Sequence, residues 1–390
     1  MYISIMGDIS MRGQEQLTTV EQAEKILSHI NPRLSHVDLR IANWENPTTK
    51  ALTPIAKAGP PFHSKVENMC FLEAAKVGLA VLANNHTGDQ GPDGVMETIG
   101  YLKQRGIGTV GAGKDVDDAY QPFRFEKGGE TLDVFAVCEH EFGFATEDEP
   151  GTAAYEHFRL RRAIAGSSAD HVLVVMHGGN EYCPIPSPMM VERCRDFVDA
   201  GASAVVVQHA HCMQGYEWYQ GAPIVYSTGN FFFGFPSCGD RAKGWCWGYV
   251  PVFRFEKGQP AQMEIIPYQY DKCATEIRVF EGEKLEAILT YIEQLNRAIA
   301  DRKLHQELFD GWSLHVGEMY SPGVVFREQY KQGDLIPAFY GFADVWRCEA
   351  HAEMLNRYYR ILEKGWLDRT RPLVDKVLAL SIVPVSLFEE

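Results

Sequence analysis

The chain runs to 390 residues, of which 45% are hydrophobic and 23% charged; that composition builds one large domain with an appendage, or two domains, around a sizeable core. Its formal net charge of −15 leaves no basic face for nucleic acid or an anionic membrane, and neither partner is expected. Nine cysteines, scattered and without a Cys-x-x-Cys pair, are the usage of a reduced, cytoplasmic protein rather than of a disulfide framework.

Met1 to Asp8 has neither the basic region nor the long apolar stretch of a secretory signal. It reads as a strand over Tyr2 to Met6, already inside the fold. Further strands are predicted at Val37 to Asn43 and Leu79 to Ala83. A helix follows over Gly94 to Arg105, with Val95, Ile99 and Leu102 on one face. Leu132 to Val137 and the Val/Leu run His171 to Met176 read as buried strands. Met189 to Val198 reads as a helix that Gly201 ends, since glycine takes the left-handed conformation readily. Strands at Ala204 to Val207 and Pro223 to Tyr226 precede a β-pair, Val250 to Phe255 with Gln262 to Pro267. Beyond about Asp271 the character changes: Lys284 to Ala300 and Val345 to Lys364 are amphipathic helices with no strand between them. Val377 to Phe388 is too short to span a bilayer, contains Pro384, and reads as a buried tail. The expected division is an α/β domain over 1–270 and a mainly helical region over 271–390, with no membrane anchor.

Five apolar strands end in residues able to bind a metal. The first ends at Asp8, the second runs into Asn43 and Glu45, and the third into Asn84-Asn85-His86 with Asp89 beyond. The fourth ends at His177 and the fifth at His209-Ala210-His211. In a mostly parallel sheet such ends converge on one edge, where α/β proteins bind ligands. Carboxylates, carboxamide and imidazoles gathered there suit one or two transition metals, and manganese, iron and zinc all accept that mixture. His209 and His211, two apart, face the same way in an extended segment.

The motifs Gly7-Asp8, Asn43-x-Glu45, Asn84-Asn85-His86-Thr87-x-Asp89-x-Gly91, His177-x-Gly179-x-Glu181-Tyr182, His209-x-His211-x-x-Gln214 and Tyr226-Ser227-x-Gly229-Asn230-Phe231 occur in an order that resembles the CapA-type poly-γ-glutamate capsule biosynthesis family, a variant of the calcineurin-like metallophosphoesterases. The resemblance covers roughly residues 1 to 235. It implies an α+β fold, a four-layer β-sandwich flanked by helices, with a mainly helical C-terminal appendage. It makes Asp8, Glu45, Asn85, His177, His209 and His211 ligands of one or two divalent metals. His86 becomes the acid that protonates the leaving group, and Asp89 a residue of the catalytic loop that bonds its amides or orients a histidine. The implied chemistry is hydrolysis of a phosphoester or a γ-glutamyl-type amide, since a metal lowers the pKa of bound water towards about 7. The partner is then a small-molecule or polyglutamate-type substrate. The alternative is a non-catalytic component of capsule or polyglutamate assembly that keeps a structural metal site. Two positions depart from the phosphoesterase pattern: Ser10 stands where a histidine is usual, and Glu45 where an aspartate is. Asn43, on the face of Glu45, is a candidate replacement ligand. Cys138 to Glu141 and Glu181 to Pro184 are candidates for a substrate wall, and Ser227 and Asn230 for bracing the His209 loop.

Overall fold

Along the first strand Ile3 and Ile5 face one way and Met6 the other, and each side meets a different core. The computed structural model describes residues 1–234, 244–320 and 335–388, with the side chains of 335–339 and 342 excepted. In chain order the strands are β1 (Tyr2–Ser10), β2 (Leu39–Trp44), β3 (Leu79–Val81), β4 (Gly108–Val110), β5 (Ala112–Gly113), β6 (Phe123–Lys127), β7 (Glu130–Cys138) and β8 (Gly151–Thr152). They continue with β9 (His171–His177), β10 (Ala204–Gln208), β11 (Tyr216–Tyr219), β12 (Ala222–Val225), β13 (Asn230–Phe233), β14 (Trp247–Arg254), β15 (Gln262–Tyr270) and β16 (Ile277–Val279).

One sheet has the order β16-β15-β14-β1-β2-β3-β4, with β13 also paired to β1; the other has the order β11-β12-β10-β9-β7-β6. Within each, the central strands are parallel: β1 through β4 in the first, and β7, β9, β10 and β12 in the second. The sheets face each other across Ile3, Ile41 and Val81 on one side and Val134, Leu173 and Val206 on the other. The outer face of the first sheet is covered by α1 (Val20–Ile26), α2 (Cys70–Ala74) and α3 (Gly91–Gln104). Outside the second lie α5 (His157–Ala165) and α6 (Pro188–Asp199), whose Leu160, Ile164 and Phe197 pack on Phe135, Val174 and Val205; α4 (Val116–Ala119) lies beside them. The result is a mixed α/β, four-layer helix–sheet–sheet–helix arrangement, as expected. Gly201 has a φ of +116° just past α6.

The C-terminal part is helical through α7 (Gly282–Ala300), α8 (Arg302–Tyr320), α9 (Leu335–Arg347), α10 (Glu349–Glu363) and α11 (Leu367–Ala379). The single helix expected over Val345 to Lys364 is interrupted at Cys348, whose backbone is extended. Its thiol is buried and lies 4.0 Å from the Glu139 carboxylate. The break therefore answers to a contact with the sandwich that helical periodicity does not register. Past α11 the chain lies along the sandwich, where Trp247 Nε1 donates to the Val385 carbonyl at 2.9 Å and Gln269 to the Ser386 hydroxyl at 3.0 Å.

Among the described residues no helix is long and apolar enough to cross a membrane. Among the described residues Cys70, Cys138, Cys183, Cys194, Cys212, Cys246 and Cys348 are free and buried.

Candidate metal centre

The carboxyl ends of both parallel strand sets open on one place, and a bulge brings the first residue into it. The register of β1 slips against β2 between Met6 and Asp8, which turns Asp8 toward the ends of the second sheet. The slip needs Gly7, since a Cβ there would lie 1.9 Å from the Gly229 carbonyl oxygen. Glu45 follows β2 directly and is tied to β1 by its amide, which donates to the Ile9 carbonyl at 2.9 Å. Asn84 shapes the loop after β3: its carboxamide oxygen accepts the amides of His86 (3.1 Å) and Thr87 (2.8 Å), while its NH₂ donates to Asn43 Oδ1 (2.9 Å). His209 and His211 follow β10 with φ of +104° and +54°, and Tyr182 opposite has +63°. Such angles cost non-glycine residues of order 1–3 kcal/mol each and cluster where a site imposes them.

All six residues read as ligands meet here. His177 Nε2 lies 3.1 Å from Asn85 Oδ1, 3.1 Å from His209 Nδ1 and 3.8 Å from Glu45 Oε1. On the other side of Glu45, His211 Nε2 is 3.8 Å from the same Oε1, and His211 Nδ1 is 3.5 Å from Asp8 Oδ2. Donor atoms of Glu45, His177 and His209 lie within 4.8 Å of one another, as do those of Asp8, Glu45 and His211, and those of Glu181, His209 and His211. Glu45 is fully buried and neither of its carboxylate oxygens has a hydrogen-bond partner. A buried carboxylate in that state is costly without a counter-charge, and a cation between the imidazoles supplies one. The donor set therefore fits a divalent metal.

The titration behaviour has the same origin. Burial, then the charge of Asp8, pushes the Glu45 carboxyl well above its ordinary range. Burial lowers His177 and His209, with neighbouring imidazoles adding to the shift. For His211 burial works downward too, but the carboxylates of Glu45 and Asp8 overcome it and raise the imidazole to about 10.

His86 stands at the rim. Its ring stacks on Phe62 at 3.7 Å between centroids with 1° between planes, and Nδ1 lies 2.6 Å from Asp89 Oδ2. Asp89 also takes the Phe62 amide at 2.6 Å and the Lys57 ammonium at 2.6 Å. A carboxylate only accepts, so His86 Nδ1 carries the hydrogen and Nε2 is the free nitrogen. Burial, and then Lys57, lowers this imidazole to about 4 against the pull of Asp89. The resting ring is neutral at pH 7.

Several residues take roles that the sequence did not assign. Lys57, 32 residues before Asp89, also donates to the Asn85 carbonyl at 2.7 Å; it sits in a loop without a motif. Glu141 accepts from Asn85 Nδ2 at 3.0 Å and lies 3.7 Å from His209 Nε2. Glu139 bonds the Gly179 amide at 2.8 Å and Arg193 at 2.5 Å, holding the β7 and β9 loops together. Asn43 is not placed as a replacement ligand: its NH₂ donates to Asp8 Oδ1 at 2.7 Å and its oxygen is taken by Asn84. The Ser10 hydroxyl accepts the Arg12 amide at 3.4 Å. Asn230 Oδ1 lies 2.9 Å from His211 Nδ1, and the Ser227 hydroxyl donates to the Cys212 carbonyl at 2.8 Å.

The bacterial capsule synthesis protein PGA_cap family matches residues 2–235. Over 238 residues the chain is 32% identical to the PGA biosynthesis protein CapA of Bacillus subtilis (strain 168), covering 59% of this chain and 62% of that protein. Over 243 residues it is 28% identical to the capsule biosynthesis protein CapA of Bacillus anthracis, covering 59% of each. The chain thus spans about three-fifths of the length of these relatives. A novel phosphatase of Mycoplasma pneumoniae is a solved structure similar to 73% of this chain and 96% of its own, at 12% identity and a TM-score of 0.41.

Proposed function

The chain belongs to the bacterial capsule synthesis protein PGA_cap family, and from that membership and the geometry of the buried centre we propose that it is a metal-dependent hydrolase acting on a phosphoester. The observation that carries the reading is Glu45, a buried carboxylate without partners, flanked by His177 on one side and His211 on the other. Glu45, Asn85, His177 and His209 would hold one divalent ion, and Asp8, Glu45 and His211 a second, with Glu45 shared. Manganese, iron and zinc suit these donors. When bound, such an ion supplies Lewis acidity and makes a nucleophilic water available at neutral pH.

The remaining work belongs to the chain. Asp89, clamped by Lys57, keeps His86 Nδ1 engaged and leaves Nε2 free to exchange a proton with the leaving group. The ring is neutral at rest, and the negative charge of a phosphoryl group beside it favours its protonated form. Asn43 steadies Asp8 and Asn230 steadies His211. Because Ser10 offers no imidazole, the Asp8 side has fewer nitrogen donors than the Asn85 side.

The test is metal analysis of the purified protein beside a panel of phosphoesters and γ-glutamyl peptides. Wild type should retain a transition metal and turn over phosphoesters; the double variant His209→Ala, His211→Ala should retain none and turn over nothing. Failure of wild type to hold metal would end the proposal. A second reading is a non-catalytic component of capsule or polyglutamate assembly, since the relatives are named for capsule and PGA biosynthesis and not for a hydrolase activity. That reading expects full metal loading and no turnover anywhere in the panel.

A further inference from the structure

A cavity of about 520 Å³ lies against the metal centre, between the loop after β9 and helix α8. Its link to the centre is the pair Glu181 and Tyr182. The Glu181 carboxylate belongs to one of the three donor groups, with His209 and His211, and the Tyr182 ring lies 6.3 Å from that of His211. The opposite wall is α8, which contributes Trp312, Val316 and Met319, and Leu378 of α11 closes the side.

The lining decides what fits. Among the described residues it contains no lysine or arginine, one carboxylate, Glu181, and one imidazole, His315. Among the described residues a polyanionic chain meets no permanent positive charge in that lining, only neutral donors such as the hydroxyls of Tyr320 and Ser381, and Glu181 repels it. The apolar side chains instead offer surface to an apolar or aromatic group. Met319, on the same wall, is 70% exposed and so is open to a ligand. Two of the lining residues, Asn180 and Trp312, are themselves nine-tenths buried and so form a fixed part of the wall.

We infer that this cavity seats the apolar or aromatic group esterified to the substrate phosphate, so that the helical C-terminal part selects the substrate of a centre built by the sandwich. The inference rests on the phosphoester reading above.

Protein loaded with Mn²⁺ would be titrated calorimetrically with phenylphosphonate and methylphosphonate, which share the anionic group and differ only in what the cavity receives. Wild type should bind the phenyl compound about 10- to 100-fold more tightly, the worth of burying a ring. Met319→Asn should cut that ratio several-fold, and Trp312→Leu should bring it near one. Met319 is exposed, so its variant folds even if the Trp312 variant does not. Equal binding of the two phosphonates by wild type would overturn the cavity assignment and leave the phosphoester reading standing. A wild-type preference that survives both substitutions would also overturn it, placing the ring elsewhere. Binding of neither phosphonate would overturn both.

Discussion

His86 is held on three sides, by the Phe62 ring, by Asp89 and, through Asp89, by Lys57. The contacts of His86 with Phe62 and Asp89 do not involve the carboxylate and imidazoles around Glu45, whereas Lys57 also holds the Asn85 carbonyl, so His86 is the residue at which proton transfer separates from metal retention. His86→Ala should therefore keep the metal-to-protein ratio of wild type and lose about 100- to 10,000-fold in rate on an alkyl phosphoester, the range of general acid–base catalysis. On a nitrophenyl ester, whose leaving group needs little protonation, the loss should be far smaller. Equal losses on both esters would point to a distorted site instead. Lys57→Met removes the buried cation that Asp89 shares with His86 and should repeat the pattern at smaller amplitude, with the nitrophenyl rate again spared.

At the scale of elements, the centre depends on how closely two loops approach. A Cβ on Gly88 would lie 2.5 Å from the Gly143 Cα, with backbone rather than a flexible side chain in its way. Gly88 belongs to the loop that presents Asn85, His86 and Asp89; Gly143 belongs to the loop after β7 that presents Glu139 and Glu141. Gly88→Ala must push these loops apart, at a cost of about 1–3 kcal/mol typical of overpacking. The expected outcome is a lowered Tm together with weakened metal retention, read by thermal unfolding and metal analysis. Gly100→Ala is the control. It lies in α3 with nothing within 4 Å of the added atom, and alanine should stabilise the helix by up to about 1 kcal/mol. A Gly88 variant that behaved like the control would show that the loops yield without consequence.

Over the whole molecule, the helical part is fastened to the sandwich beside the centre. Glu349, at the start of α10, accepts the His140 amide at 3.0 Å and pairs with its ring at 2.8 Å, while Asn180 reaches the Ala350 carbonyl at 3.3 Å. The hydrogen bond to Glu349, working against burial and aided by Glu156 at 3.4 Å, raises His140 above 6.5. Glu349 is lowered below 4.5 by His140, which overcomes its burial. The raised imidazole stabilises the folded state fully below its unfolded value near 6.5 and loses that contribution as pH rises through the folded one. The depressed carboxylate contributes above 4.5 and loses its share as pH falls through its folded value. The fastening should thus be strongest between these limits. Glu349→Gln is expected to lower Tm clearly at pH 6 and much less at pH 8.5. A Tm difference that does not change with pH would assign the contact no charge.

Apolar strands ending in Asp8, Glu45, Asn85, His177, His209 and His211 were legible in sequence, because alternation sets which residues are buried and parallel strands end on one edge. The order of those motifs carried the family as well. Tertiary structure alone decided that Lys57 clamps Asp89, that Asn43 is a donor to Asp8 rather than a ligand, and that α10 breaks from α9 at Cys348. It also decided that α8 walls a cavity against Glu181. Each of these joins segments 32 to more than 100 residues apart by a side-chain contact, and a local pattern of apolar and polar residues holds no information about such distances. The physical reason is that periodicity records which face of an element is buried, whereas a hydrogen bond or a cavity wall depends on where two elements meet.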